Sequence, residues 1–216
     1  MTLSTRNLKA LPDIPTLKRL TQSLAMLDAM LSPEWEYRYY AFNAAWSDEA
    51  AMASMRNGSG DHWFAIFCQA GAALHGLAHE APAFRPGTPW PGIFERLPAE
   101  FRTNLLEEPA FTTSDSTFCL WRLSNEERWT CGPVELPPGE DPDGSAELLG
   151  ILAGRPEQYV EFAADYYERD LDLGDVEAIY RHQPLSDALV RRFNPDLDMA
   201  SLENDIAEIG YPRQVD

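Results

Sequence analysis

The chain has 216 residues, 44% of them apolar, with 6 Trp, 8 Tyr and 10 Phe; it is long enough for one α+β domain with a substantial core and too apolar for global disorder. Its 35 Asp and Glu outnumber 17 Lys and Arg, a formal charge of −18, which argues against nucleic acid as a partner and for something cationic. Most of that charge is C-terminal: residues 1–100 hold 8 basic and 10 acidic side chains, residues 101–216 hold 9 and 25.

Met1 to Leu11 contain no continuous apolar stretch and no small-residue cleavage site, so no secretory signal is expected, and no apolar run approaches the length of a membrane span. Leu17, Leu20, Leu24, Leu27 and Leu31 recur at steps of three and four and share one helical face. Pro15 suits the first turn of that helix, and Ser32-Pro33 stops it. The aromatic block from Trp35 to Trp46 reads as a buried strand, and Ser47 to Met55 as a short turn of helix. After the loop Arg56 to Asp61, Trp63 to Cys68 is apolar on both faces, as a central strand requires. Gln69-Ala70-Gly71 turns the chain, and Ala72 to His79 returns as the partner strand.

Four prolines between Pro82 and Pro91 predict a rigid surface loop. Leu97 to Glu107 is expected to be helical, and Thr117 to Leu123 with Arg128 to Cys131 to form a second hairpin. Leu136 to Ser145, rich in Pro, Gly and acids, is the linker expected between an α+β sheet domain (1–135) and a helical region (146–216) packed on it. Four helical faces follow: Tyr159, Phe162, Ala163, Tyr166 and Tyr167; Val176, Ile179 and Tyr180; Leu185, Leu189 and Phe193; Met199, Leu202, Ile206 and Ile209, with Asp198 as N-cap of the last. The expected fold is α+β: a mostly antiparallel sheet of about five strands, an N-terminal helix and an all-helical C-terminal region.

The chemistry-bearing signals are few. In the loop from Arg56 to Asp61 two glycines let the backbone approach a partner, a turn of amides can cradle an anion, and Arg56 offers a fork for carboxylate or phosphate. The loop has neither the lysine of a P-loop nor the third glycine of a dinucleotide fingerprint, and a tight connection with Asn57-Gly58 as turn residues and Asp61 as cap is the better account of it. On a strand His75 and His79 stand about 13 Å apart, too far to share an ion, so no metal is expected. Gly58-Ser59-Gly60 lacks nucleophile-elbow spacing, and Cys68, Cys119 and Cys131 lie in apolar stretches, as inert reduced thiols of a cytoplasmic protein do. Asp141-Pro142-Asp143-Gly144 echoes part of a calcium loop without its further acid and terminal Glu. No catalytic residue and no cofactor is assigned. The acidic stretch Glu157, Glu161, Asp165, Glu168, Asp170, Asp172, Asp175 and Glu177 is either a solvated face or an electrostatic surface for a basic protein.

Tyr37-Arg38-Tyr39-Tyr40-Ala41-Phe42-Asn43, Trp46, Met52 to Asp61, His79-Glu80, Glu108-Pro109-Ala110-Phe111, Thr117 to Arg122, Gln183-Pro184-Leu185 and Ile209-Gly210-Tyr211-Pro212 together resemble a family of uncharacterised bacterial proteins, a resemblance that carries no activity with it. Leu97-Pro98-Ala99-Glu100-Phe101-Arg102 resembles the helix entry of SUKH-type toxin-immunity proteins, with Glu107-Glu108-Pro109 in place of their glycine-rich continuation. The expectation is a non-enzymatic protein-binding module, immunity-like in kind, with Glu157, Glu161, Asp165 and Glu168 on its acidic surface. The alternative is an enzyme or small-ligand binder using Arg56, Asn57, Asp61, His79 and Glu80.

Overall fold

In the computed structural model, which describes residues 2–214, helix α1 runs from Ile14 to Leu31. Asp13 caps it by accepting the Thr16 N–H at 2.8 Å, and Pro15 occupies its first turn. Leu17, Leu20, Leu24, Leu27 and Leu31 are buried as their spacing requires, each contributing about 1.5–3 kcal/mol of transfer free energy. From Thr21 onward every residue of α1 is buried, polar ones included, so this is a central helix covered on all sides rather than an amphipathic one.

Six strands follow as an antiparallel meander in chain order: β1 (Tyr40–Asn43), β2 (Ala50–Arg56), β3 (His62–Cys68), β4 (Gly71–Leu77), β5 (Phe118–Leu123) and the two-residue β6 (Thr130–Cys131). The strand beyond the expected five is β2, where the sequence predicts a turn of helix. Ala50 to Met55 are good helix formers, but this segment lies between β1 and β3 and is buried on both faces, so cross-strand pairing overrides local propensity. The aromatic block narrows to a strand at Tyr40–Asn43, and Trp35–Tyr37 is an exposed turn of 3-10 helix. The tight β3–β4 hairpin needs a glycine: Gly71 has φ +148°, and a Cβ there would lie 2.2 Å from the Arg122 carbonyl.

One sheet face, with Tyr40, Ala53, Trp63, Phe67, Leu74 and Leu120, packs on α1 and the C-terminal helices. The other, with Met52, Phe64, Ile66, Ala73 and Trp121, is covered by α2 (Ala99–Leu106) through Phe101 and Leu105, and by Phe111. Past β6 come α3 (Ser145–Leu148), α4 (Pro156–Tyr166), α5 (Leu173–Tyr180), α6 (Asp187–Phe193) and α7 (Glu203–Ile209). Tyr159, Ala163, Val176, Ile179, Leu189, Phe193, Leu202, Ile206 and Ile209 join α1 in one core shared by both halves of the chain. Asp198 does not cap α7, which starts after Leu202; its carboxylate takes the Ser201 N–H and hydroxyl instead.

The segment 136–145 is pinned at its C-terminal end. The Asp143 carboxylate is buried and accepts the Thr5 hydroxyl at 2.5 Å and the Ser145 hydroxyl at 2.7 Å, while its carbonyl accepts the Thr117 hydroxyl at 2.8 Å. Asp141 accepts the N–H groups of Ala146 and Glu147, so the calcium-loop echo is a helix entry into α3.

Asp28, a carboxylate within the leucine helix, is fully buried. Its Oδ2 accepts the N–H groups of Tyr39 and Tyr40, both at 2.7 Å, and its Oδ1 accepts the Tyr159 hydroxyl at 2.6 Å. One side chain thus ties α1 to the entry of β1 and to α4. Burial pushes its pKa up to about 6 against the lowering effect of those hydrogen bonds.

Candidate functional site

The loop between β2 and β3 is organised by Asn57. Its Oδ1 accepts the N–H groups of Ser59 and Asp61 at 2.9 and 3.0 Å, and its Nδ2 donates to Asp61 Oδ2 at 2.8 Å. The other oxygen of Asp61 accepts both the backbone N–H of His79, at 2.8 Å, and the ring Nδ1–H, at 2.6 Å. Partial burial acts to raise the Asp61 pKa, but the His79 and Asn57 hydrogen bonds outweigh it and hold the carboxyl below its usual range. The same contact raises the pKa of His79. Asn57, Asp61 and His79 therefore converge, with the ring fixed as an Nδ1–H tautomer or an imidazolium.

Glu80 and Arg56 are not part of that network in the same sense. The Glu80 side chain is 90% exposed, and its Oε1 comes only within 3.9 Å of His79 Nε2. The Arg56 guanidinium lies over the rings of Trp35 and Phe64, 5.7 and 5.3 Å from their centroids. An Asp–His pair is the orienting half of an acid–base arrangement; no serine or cysteine is hydrogen-bonded to His79 Nε2 among the described residues. As geometry, the trio is a loop clamp.

His75 and His79 occupy different environments. His75 is fully buried on β4, its Nδ1 2.9 Å from the Ser116 hydroxyl and its Nε2 without a partner; burial pulls its pKa down to about 3. Ser116 is buried too, so this contact offers no substrate an approach. Cys119, opposite His75 on β5, is a buried thiol pushed well above its ordinary pKa by desolvation, the reverse of an activated nucleophile. Among the described residues no group of three or more His, Cys, Asp or Glu could hold a metal ion, and no helix is long and apolar enough to cross a membrane.

Glu157, Glu161 and Asp165 stand at i, i+4 and i+8 on α4 and are all exposed, with Glu168 exposed just beyond its end. None of the four belongs to an ion pair among the described residues, whereas Asp175 and Glu177 are bound to Arg192 and Arg181, each at 3.0 Å. The acidic stripe adjoins a feature the sequence reading missed. Tyr166, 44% exposed, donates its hydroxyl to the Tyr37 carbonyl at 3.3 Å, and Tyr37 and Trp35 are themselves 56% and 57% exposed. The density of aromatics from 35 to 46 suggested a buried strand; Pro33 and Glu34 just before the block and Glu36 within it were the signal that its beginning faces water.

A wider groove of about 900 Å³ runs between α1 and the α4–α5 region, lined in part by Arg19, Arg181 and His182. There Arg181 is tied to Glu177, and His182 Nε2 to the Arg19 carbonyl at 2.9 Å. Comparison of the chain with protein-family models, with curated proteins and with solved structures found no match to any of them.

Proposed function

We propose that the protein is a non-enzymatic protein-binding module whose docking face is the exposed acidic side of α4 continued by Trp35, Tyr37 and Tyr166. The observation that carries this reading is the juxtaposition of unpaired carboxylates at Glu157, Glu161 and Asp165 with three exposed aromatic side chains. Trp and Tyr are the residues that most often anchor interfaces, because they bury much area at low entropic cost. Unpaired acids beside them steer a cationic partner and leave the wrong partners unsatisfied. The partner is a basic protein; with a charge of −18, nucleic acid is repelled. The resemblance to immunity proteins makes a basic toxin domain one such partner. Three free thiols support placing the module in the cytoplasm.

The test is affinity capture from native lysate at low and moderate salt, with wild type and with a Glu157→Lys, Glu161→Lys, Asp165→Lys variant. One basic protein, captured in stoichiometric amount by wild type, released by salt and not captured by the charge-reversed variant, is the expected result. Capture that ignores both salt and charge reversal would overturn the proposal, as would the absence of any basic protein.

A further inference from the structure

At the β1 edge of the sheet, on the α2 side, a cleft of about 190 Å³ opens. Its floor is the cross-strand pair Ala41 and Ser54 together with Arg56, two residues further along the same face of β2. Trp35, Tyr39 and Tyr166 are its aromatic walls. The two arginines of the cleft differ in kind. Arg38 is saturated: it forms an ion pair with Asp205 and donates to the carbonyls of Ser32 and Pro33. Arg56 has no ion pair among the described residues, and its guanidinium is positioned only by the Trp35 and Phe64 rings. Those rings take water from it, and this desolvation lowers its pKa. An arginine resting beside two aromatic rings, with its donor fork unfilled, is free to take a planar anion.

We propose that this cleft binds the carboxylate of a small monocarboxylic acid with an apolar, preferably aromatic, body. The carboxylate accepts from the Arg56 fork and the Ser54 hydroxyl, and the body lies among Trp35, Tyr39 and Tyr166. Size and charge select this class. A cavity of about 150 Å³ accommodates benzene, so the cleft suits a benzoate-sized acid and is too small for a nucleotide. Glu36 in the cleft lining and the acidic stripe of α4 close by oppose a second negative charge on the ligand. The cleft shares Trp35 and Tyr166 with the docking face proposed above, but ligand binding is read without any protein partner, and the charge-reversal variant leaves the cleft residues untouched.

The experiment is isothermal titration of the full chain with benzoate, its neutral isostere benzamide, and inorganic phosphate, repeated with Arg56→Met and Trp35→Ala. Wild type is expected to bind benzoate saturably with a Kd on the order of 1 mM, and benzamide and phosphate at least tenfold more weakly. Arg56→Met should weaken benzoate at least tenfold while the far-UV spectrum and Tm stay those of wild type. Trp35→Ala, at an exposed position, supplies an independent loss should Arg56→Met fail to fold. No saturable benzoate binding by wild type, equal binding by Arg56→Met, or a preference for phosphate would each overturn the proposal.

Discussion

Asp28→Asn isolates the one fully buried carboxylate on α1. In the folded protein its pKa is about 6, against 3.8 for an ordinary aspartate, so between those values the native state binds more protons than the unfolded chain. Native stability from this group is therefore greatest below pH 3.8, falls as pH rises through about 6, and is flat above it. The rise from 3.8 to about 6 amounts to about 3 kcal/mol at 1.36 kcal/mol per pH unit, and roughly 1 kcal/mol of it falls between pH 7 and pH 5. That window stays above the chain's pI of about 4.5, where solubility would otherwise fail. Asparagine keeps an oxygen for the Tyr39 and Tyr40 N–H groups and turns its amide toward the Tyr159 hydroxyl, which then accepts. Every other titrating group is common to both proteins and cancels in the comparison. In urea unfolding followed by tryptophan fluorescence, Asp28→Asn should gain on wild type by roughly 1 kcal/mol between pH 5 and pH 7. Parallel stability profiles over that range would refute the argument that burial holds this carboxyl partly protonated.

The Asp61–His79 contact predicts that the His79 ring titrates above the ordinary histidine value, led by its hydrogen bond to Asp61; Asp61→Asn should return it toward that value in an NMR titration, and an unchanged pKa would mean the ring is not held as described. Its contribution to stability is present below the unfolded histidine pKa and fades as pH rises through the raised folded one. Gly144→Ala tests whether the chain at 141–145 is packed. Gly144 has φ +73°, and a Cβ there would meet the Ala78 Cβ at 2.1 Å, so a loss of about 1–3 kcal/mol is expected; a neutral effect would restore the picture of a free linker.

What could be read from the sequence follows the range of the physics involved. The leucine steps of α1, the double-sided apolar run of β3 and most of each face of α4 to α7 are local periodicities that the structure buries, but Tyr166, placed by its spacing on the α4 face, is 44% exposed. The segment at 50–56 was misread because its Ala and Met residues favour helix in isolation, and only the register with β1 and β3 makes them a strand. Of the loop residues singled out, Asn57, Asp61 and His79 do meet, because the β3–β4 hairpin returns the chain past its own start; Arg56 leaves for Trp35, a contact across 21 positions of sequence that no local pattern announces.

Sequence alone determined the α+β class, the helical C-terminal region and the concentration of acid there, since composition and period are properties of single segments. Tertiary structure decided that Asp28 is a joint rather than a stray charge, that Asp141 to Ser145 is docked, and that the stripe on α4 runs into exposed aromatics from the other half of the chain. Each of these depends on which distant segment a polar or aromatic side chain meets, and in a folded chain that choice is made by competition for burial and hydrogen bonds over the whole core.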